Sequence, residues 1–126
     1  MSISARAIAN VKPVNEPDRI VNDNELQKAL DFLRDSAADI GAARAEMIRA
    51  AHMVKVTRAL QIKRFNDLPV TRAEIEALAS DTYLEALEAD AVAAGEFEKL
   101  RALREAASMK IEAWRSEQAT YRAMRV

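Results

Sequence analysis

Residues 26–54 read LQKALDFLRDSAADIGAARAEMIRAAHMV, and apolar residues recur in this stretch at a strict seven-residue interval. The column consists of Leu26, Leu33, Ile40, Met47 and Val54. A second seven-residue column is uniformly small and consists of Ala29, Ser36, Ala43, Ala50 and Thr57. This period is typical of a helix that lies along another helix, and the small column allows that helix to approach closely. The stretch therefore predicts a long helix packed against a second one.

The chain of 126 residues suits one domain, preceded by an irregular segment. Pro13 and Pro17 interrupt any helix near the N-terminus, so residues 1–21 are predicted to form an arm. This arm either packs on its own subunit or a neighbouring one, or frays in solvent. Residues 22–126 are predicted to form a single helical domain, with Asn22 or Asp23 capping the first helix.

The remaining breaks divide this domain into helices. Residues 66–69 contain Asn, Asp and Pro and end the first helix near position 64. A capping-box sequence at 71–74 predicts a short helix over 71–79. Ser80, Asp81 and Thr82 either cap another start or are crossed without a break, and a last helix is predicted over 82–121 with a candidate kink at Gly95. The prediction is an all-α fold, a long antiparallel helical hairpin with a short connector helix. Because alanine-rich seams bury little area, we expect an oligomeric, coiled-coil-like assembly.

Charge is strongly segregated although the formal net charge is only −1. Residues 44–64 hold six Lys or Arg and one Glu, whereas residues 74–98 hold eight acidic residues and no Lys or Arg. Residues 99–126 are basic again, with seven Lys or Arg against three Glu. Such blocks can pair within a bundle, between subunits, or with a polyanion. In the predicted hairpin the basic end of the first helix lies near the acidic start of the last, which favours internal pairing.

Catalytic and metal-binding patterns are not found in this sequence. The chain has no cysteine, two glycines and one histidine, and neither GxxxxGK[ST] nor GxGxxG occurs. His52 has no partner for zinc, and no Ser, His and Asp spacing indicates a triad. We therefore expect a non-enzymatic protein with no cofactor and no metal. No run of about 18 apolar residues and no signal peptide is evident, so we expect no membrane partner and a cytoplasmic location.

The basic stretch is the candidate binding surface. At 100° per residue, Arg44, Lys55 and Arg58 lie within about 60° of one another, with His52 and Lys63 beside them. Cations at this spacing can follow a phosphate backbone and release its counterions. A solvated or salt-bridged face is the alternative interpretation. The predicted DNA-binding residues are Arg44, Arg49, Lys55, Arg58, Lys63 and Arg64.

Neutral and aromatic side chains add to this hypothesis. Thr57 and Gln61 are expected to supply neutral hydrogen bonds to a bound nucleic acid. Trp114 and Tyr121 each precede an arginine, an arrangement that can stack bases, although Trp114 three residues after Ile111 is more typical of a core residue.

Three stretches resemble phage recombination proteins. EMIRAAHMVKVTRAL at 46–60 is similar to the central helix of UvsY-type recombination mediators of tailed phages. MKIEAWRSEQA at 109–119 and DRIVNDNEL at 18–26 resemble small helical phage proteins found in recombination gene clusters.

The resemblance implies a function. UvsY-type proteins form ring-like homo-oligomers, bind single-stranded DNA and help load a RecA-like recombinase in place of single-strand-binding protein. Their DNA-contacting cations carry over by position to Lys55 and Arg58, with Arg49 and Lys63 as further matches. The location implied is the cytoplasm of a phage-infected bacterial host. The acidic segment 74–98 departs from the family pattern.

The alternative function is a non-enzymatic protein-interaction module, either a phage scaffold or an inhibitor of a host complex. In that interpretation the acidic face over 74–98 is the active surface and occupies a basic groove on the partner.

Overall fold

The protein is all-α in the computed structural model, which describes residues 19–125. Within this range there are four helices and no strand: α1 (Asp23–Asp35), α2 (Ala37–Arg64), α3 (Val70–Leu78) and α4 (Asp81–Met124). The predicted fold class is confirmed at this level. Most of the arm predicted over 1–21 lies outside the described residues.

Two helices begin as the sequence predicts. The Asn22 side-chain oxygen accepts a hydrogen bond from the Glu25 backbone N–H at 2.8 Å and caps α1. The Ser80 hydroxyl accepts from the Tyr83 N–H at 3.2 Å and caps α4. Each cap satisfies a backbone donor that has no partner inside the helix. α4 then continues through Gly95, where no break occurs.

The connector helix begins differently from the prediction. α3 starts at Val70 and has no side-chain cap, so the predicted capping box over 71–74 does not form. Pro69 occupies the cap position in an extended conformation, and its carbonyl accepts from the Ala73 N–H at 2.8 Å. Thr71 is already inside the helix, where its backbone cannot adopt the extended conformation of a capping residue.

The first long helix is interrupted at Ser36, where the sequence predicts continuity. Arg104 of α4 donates one hydrogen bond to the Leu33 carbonyl and one to the Ser36 hydroxyl, each at 2.7 Å. In a continuous helix the Leu33 carbonyl would accept from residue 37. A side chain inserted into the backbone ladder is a recognised cause of helix kinks. Arg104 therefore separates α1 from α2.

The core is thin and is built mainly from alanine. Among the described residues, no large side chain is completely buried. In the two sequence columns, the small side chains are the more deeply buried, and Leu26, Leu33, Ile40, Met47 and Val54 are only partly covered. The small residues therefore lie where the helices approach most closely. The buried apolar residues are Val21, Ala29, Ala50, Ala73, Ala77, Ala93 and Ala107.

Contacts with α4 run in order along the chain. Val21 contacts Glu117, Ser36 contacts Arg104, and Ala43 lines the same groove as Ala93. Residue numbers on α4 therefore decrease along the contact as residue numbers in the N-terminal segment increase. α4 and α2 each contact all of the other three helices, and the contact between these two is the most extensive in the domain.

We expect Arg104→Ala to lower the free energy of unfolding by about 2 kcal/mol, because two charge-assisted hydrogen bonds to partly buried oxygens are lost. Urea denaturation followed by circular dichroism measures the change. The matched control is Arg101→Ala, since Arg101 lies one turn away and makes only exposed ion pairs with Glu98 and Glu105. Equal effects of the two substitutions would contradict the role given to Arg104.

Glu117 holds the start of the described chain against α4. One carboxylate oxygen accepts from the Val21 N–H at 3.0 Å, and the other accepts from the Tyr121 hydroxyl at 3.0 Å. The backbone hydrogen bond from Val21 is the main reason that the pKa of Glu117 lies below its ordinary value. The ionised carboxylate is therefore favoured by folding.

This lowered pKa predicts a pH dependence of stability. The contribution of Glu117 is fully present above the unfolded-state pKa of about 4.3 and is lost as pH falls through the lower folded-state value. We expect Glu117→Gln to flatten the loss of stability below about pH 4.3. Urea midpoints at several pH values test this, with Glu112→Gln as the control because Glu112 makes only an exposed ion pair with Arg115. Parallel pH profiles for the unmodified protein and Glu117→Gln would refute the assignment.

Candidate nucleic-acid interface

The six predicted cations all lie on α2, and each side chain is exposed to solvent. Since α2 is continuous from Ala37 to Arg64, the directions of these side chains follow from the helical repeat. Arg44, Lys55 and Arg58 share one flank, which we call the basic flank. The other three point roughly 100° or more away from its centre: Arg49, Lys63 and Arg64.

A shallow groove lies within the basic flank and is lined by Ile48, Ala51, His52 and Lys55. Ile48 is exposed although it is a large apolar residue. The flank therefore offers an apolar contact between its cations. Sequence reasoning identified the cations but not Ile48. The sequence did contain a signal for Ile48, because residues 48, 51 and 55 are spaced by three and four and therefore lie on one side of a helix.

Most of these cations are free of acidic neighbours. Within residues 19–125, Arg49 is the one member of the six that forms an ion pair, and its partner is Glu46. Arg64 lies over the Phe65 ring at 5.9 Å from its centre, within the range of a cation–π contact. Arg44, Lys55 and Arg58 have no acidic partner within 4.0 Å in the described part of the chain. Their charge is available to an external anion.

Pairing between the basic and acidic blocks was the alternative interpretation. In the part of the chain that the structure describes, every ion pair joins residues at most four positions apart. None therefore links the basic stretch 44–64 to the acidic stretch 74–98. The two blocks are therefore not neutralised by ion pairs with one another.

Arginines of α4 differ from those of the basic flank. Arg101 is hydrogen-bonded to Glu98 and lies near Glu105, and these carboxylates raise the pKa of its guanidinium. Arg115 is paired in the same way with Glu112. Since local carboxylates already offset these charges, α4 is a weaker site for a polyanion than α2.

Two predicted contributors to the interface are buried. Thr57 and Gln61 are each 8% exposed, so they cannot form the hydrogen bonds to DNA that the sequence suggested. Thr57 continues the small column and lies in the seam, and Gln61 is four residues further along the same side. Both residues are buried because the helical repeat places them on the packed side of α2, although their side chains are polar.

The C-terminal aromatic residues are partly buried. The Trp114 indole nitrogen is inaccessible to solvent, and the Tyr121 hydroxyl donates to Glu117. These aromatic side chains belong to the packing of α4, as the core interpretation of Trp114 predicts, and they do not line the basic flank.

No cluster of three or more His, Asp or Glu that could hold a metal ion occurs within residues 19–125. None of the described helices has the length and apolar character needed to cross a membrane.

Comparison with known proteins identifies no relative of this chain. No protein-family model, no curated protein and no solved structure matches the chain. The resemblance to UvsY-type mediators therefore stays a prediction based on the sequence stretches quoted above.

Proposed function

We propose that this protein is a homo-oligomeric, single-stranded DNA-binding recombination mediator that assists loading of a RecA-like recombinase. In this proposal α1 and α2 form an antiparallel hairpin with α4, α3 is the connector, and the hairpins associate into a coiled-coil-like assembly. The recombinase and single-strand-binding protein are its proposed partners, in the cytoplasm of a phage-infected bacterial host.

One observation supports the DNA-binding part most directly. Arg44, Lys55 and Arg58 share one exposed flank and have no acidic partner within 4.0 Å among the described residues. The distance from Arg44 to Arg58 along α2 is about 21 Å at 1.5 Å per residue. This length is equal to several nucleotides of extended single strand, so three cations can neutralise phosphates along it.

Oligomerisation explains how so small a site can be effective. Three cations on one subunit provide only weak binding, and no aromatic side chain of the basic flank stacks on bases. Linking several identical flanks makes each later contact intramolecular and raises the overall affinity without any new contact. The proposed assembly and the proposed activity therefore depend on each other.

We expect the double substitution Lys55→Ala with Arg58→Ala to weaken binding to labelled single-stranded DNA. Removing two phosphate contacts should reduce the slope of log affinity against log salt by about 1.4. Fluorescence anisotropy at several salt concentrations measures both quantities, and circular dichroism checks that the fold is retained.

The matched control is Arg34→Ala with Arg72→Ala, which removes the same total charge. Both arginines are exposed, and both already pair with nearby carboxylates. Binding by this control should be almost unchanged in slope. Unchanged binding by Lys55→Ala with Arg58→Ala, or an equal loss in both double variants, would reject the basic flank as the site.

The second candidate function is a protein-interaction module acting through the acidic face. Glu85 and Glu88 are exposed, and neither forms an ion pair within the described residues. We expect Glu85→Lys with Glu88→Lys to abolish capture of a basic partner in a pull-down from host extract, with Glu98→Lys as the control. Capture that survives the double reversal, together with salt-sensitive DNA binding, would reject this alternative.

A further inference from the structure

One face of the domain carries two grooves that follow the line between α4 and the N-terminal helices. The first groove is lined by Phe32, Leu103 and Ala106, with Lys28 and Lys110 at its edges. The second groove lies further along. Its lining includes Ala89, Val92 and Ala93, and Glu46 and Glu96 are at its edges. We call this surface the grooved face.

Apolar side chains are exposed along the grooved face. Leu103 is 47% exposed at the first groove, and Val92 is 58% exposed at the second. Met53 and Leu60 follow Glu46 at seven-residue intervals on α2 and are also exposed. Seven-residue spacing places them on the same side of the helix as Glu46. The grooved face therefore continues as an uncovered apolar strip beside the seam.

The charges at the two grooves have opposite sign. The first groove is edged by two lysines, and the second by two glutamates. In the described part of the chain, Lys28, Lys110 and Glu96 form no ion pair, whereas Glu46 pairs with Arg49 on its own helix. The grooved face is thus basic at the first groove and acidic at the second.

We propose that a second copy of this chain covers the grooved face in an antiparallel arrangement. A two-fold axis lying across the face turns the partner end for end. The lysine-edged groove of each copy then lies over the glutamate-edged groove of the other, and the contact occurs twice. A parallel partner would instead place lysines against lysines and glutamates against glutamates, which is unfavourable.

The area available is sufficient for a stable dimer. Ala106 and Val92 are 14 residues apart on one helix, which corresponds to about 21 Å, and one further turn at each end extends the contact to about 32 Å. Two adjacent helices are about 20 Å wide, so each copy offers about 640 Å². The pair would bury about 1,300 Å², which lies within the usual range for specific interfaces.

This arrangement leaves the basic flank uncovered. The grooved face on α2 contains Glu46, Met53 and Leu60, whereas Arg44 and Arg58 follow a different seven-residue column. The inference depends on the oligomeric part of the proposed function and specifies its interface. Because the two surfaces are separate, substitutions on the basic flank should weaken DNA binding without changing association.

Two charge-reversed variants test the arrangement. One carries Lys28→Glu with Lys110→Glu, and the other carries Glu46→Lys with Glu96→Lys. All four side chains are exposed, so the fold of each chain should be retained. Sedimentation equilibrium of each variant alone should show self-association weakened about 10-fold or more, because every proposed contact now joins like charges.

An equimolar mixture of the two variants supplies the decisive measurement. In the mixed dimer both contacts again join opposite charges, so the mass should return from that of one chain of 14.0 kDa toward that of two. A mixture that stays at the mass of one chain would overturn the antiparallel arrangement. Variants that associate as strongly as the unmodified protein would overturn the grooved face as the interface.

The unmodified protein separates failure of this inference from failure of the DNA-binding proposal. A chain that is monomeric at all concentrations would overturn the dimer, and anisotropy with single-stranded DNA would still decide whether the basic flank binds. If the protein dimerises only after deletion of residues 1–18, that segment would be the occupant of the grooved face. This result would also overturn the inference.

Discussion

Close approach of α4 to α1 and α2 through small side chains is the constraint on which the rest of this structure depends. Ala29, Ala50, Ala93 and Ala107 are buried where the helices meet. Alanine costs little side-chain entropy and favours helices, but each buried alanine removes little apolar area from water. The two long elements are therefore brought together without a thick core, and large apolar side chains stay partly exposed on both sides of the seam.

Arg104 lies where the packing of α4 interrupts the regular backbone hydrogen bonding of the N-terminal helices. Its guanidinium fills a position in the seam and donates to the Leu33 carbonyl and the Ser36 hydroxyl. The hydroxyl of Ser36 in turn donates to the Phe32 carbonyl at 2.5 Å. Partly buried polar groups are retained when each has a partner. Here the partners are obtained by interrupting a helix, and α1 and α2 thus meet α4 as two segments.

The thin core and the segregated charges have a common consequence for function. Ion pairs in the described residues all join near neighbours in the sequence. The positive charge of the basic stretch of α2 and the negative charge at the start of α4 therefore do not neutralise one another. An exposed basic flank favours a polyanion, and an uncovered apolar face with complementary ends favours a second subunit. These two surfaces lie on different sides of α2, which is compatible with an assembly that binds DNA.

Much of the fold could be predicted from the sequence, because it depends on local rules. The seven-residue columns in 26–57 indicated paired helices, Asn22 and Ser80 were suitable caps, and residues 66–69 contained a clear break. The same periodicity could also have predicted the burial of Thr57 and Gln61. In the candidate site, the exposure of the cations followed from their charge and spacing.

The tertiary structure alone decided where long-range contacts override those rules. The break at Ser36 was not predicted, because it occurs where the side chain of Arg104, a residue 68 positions away, donates hydrogen bonds to the helix. Likewise, charge composition could not decide whether the blocks 44–64 and 74–98 pair, since that depends on distances between side chains on different helices. The sequence by itself determined the helices and their apolar and charged faces, whereas tertiary packing determined which of these faces are covered and which are exposed.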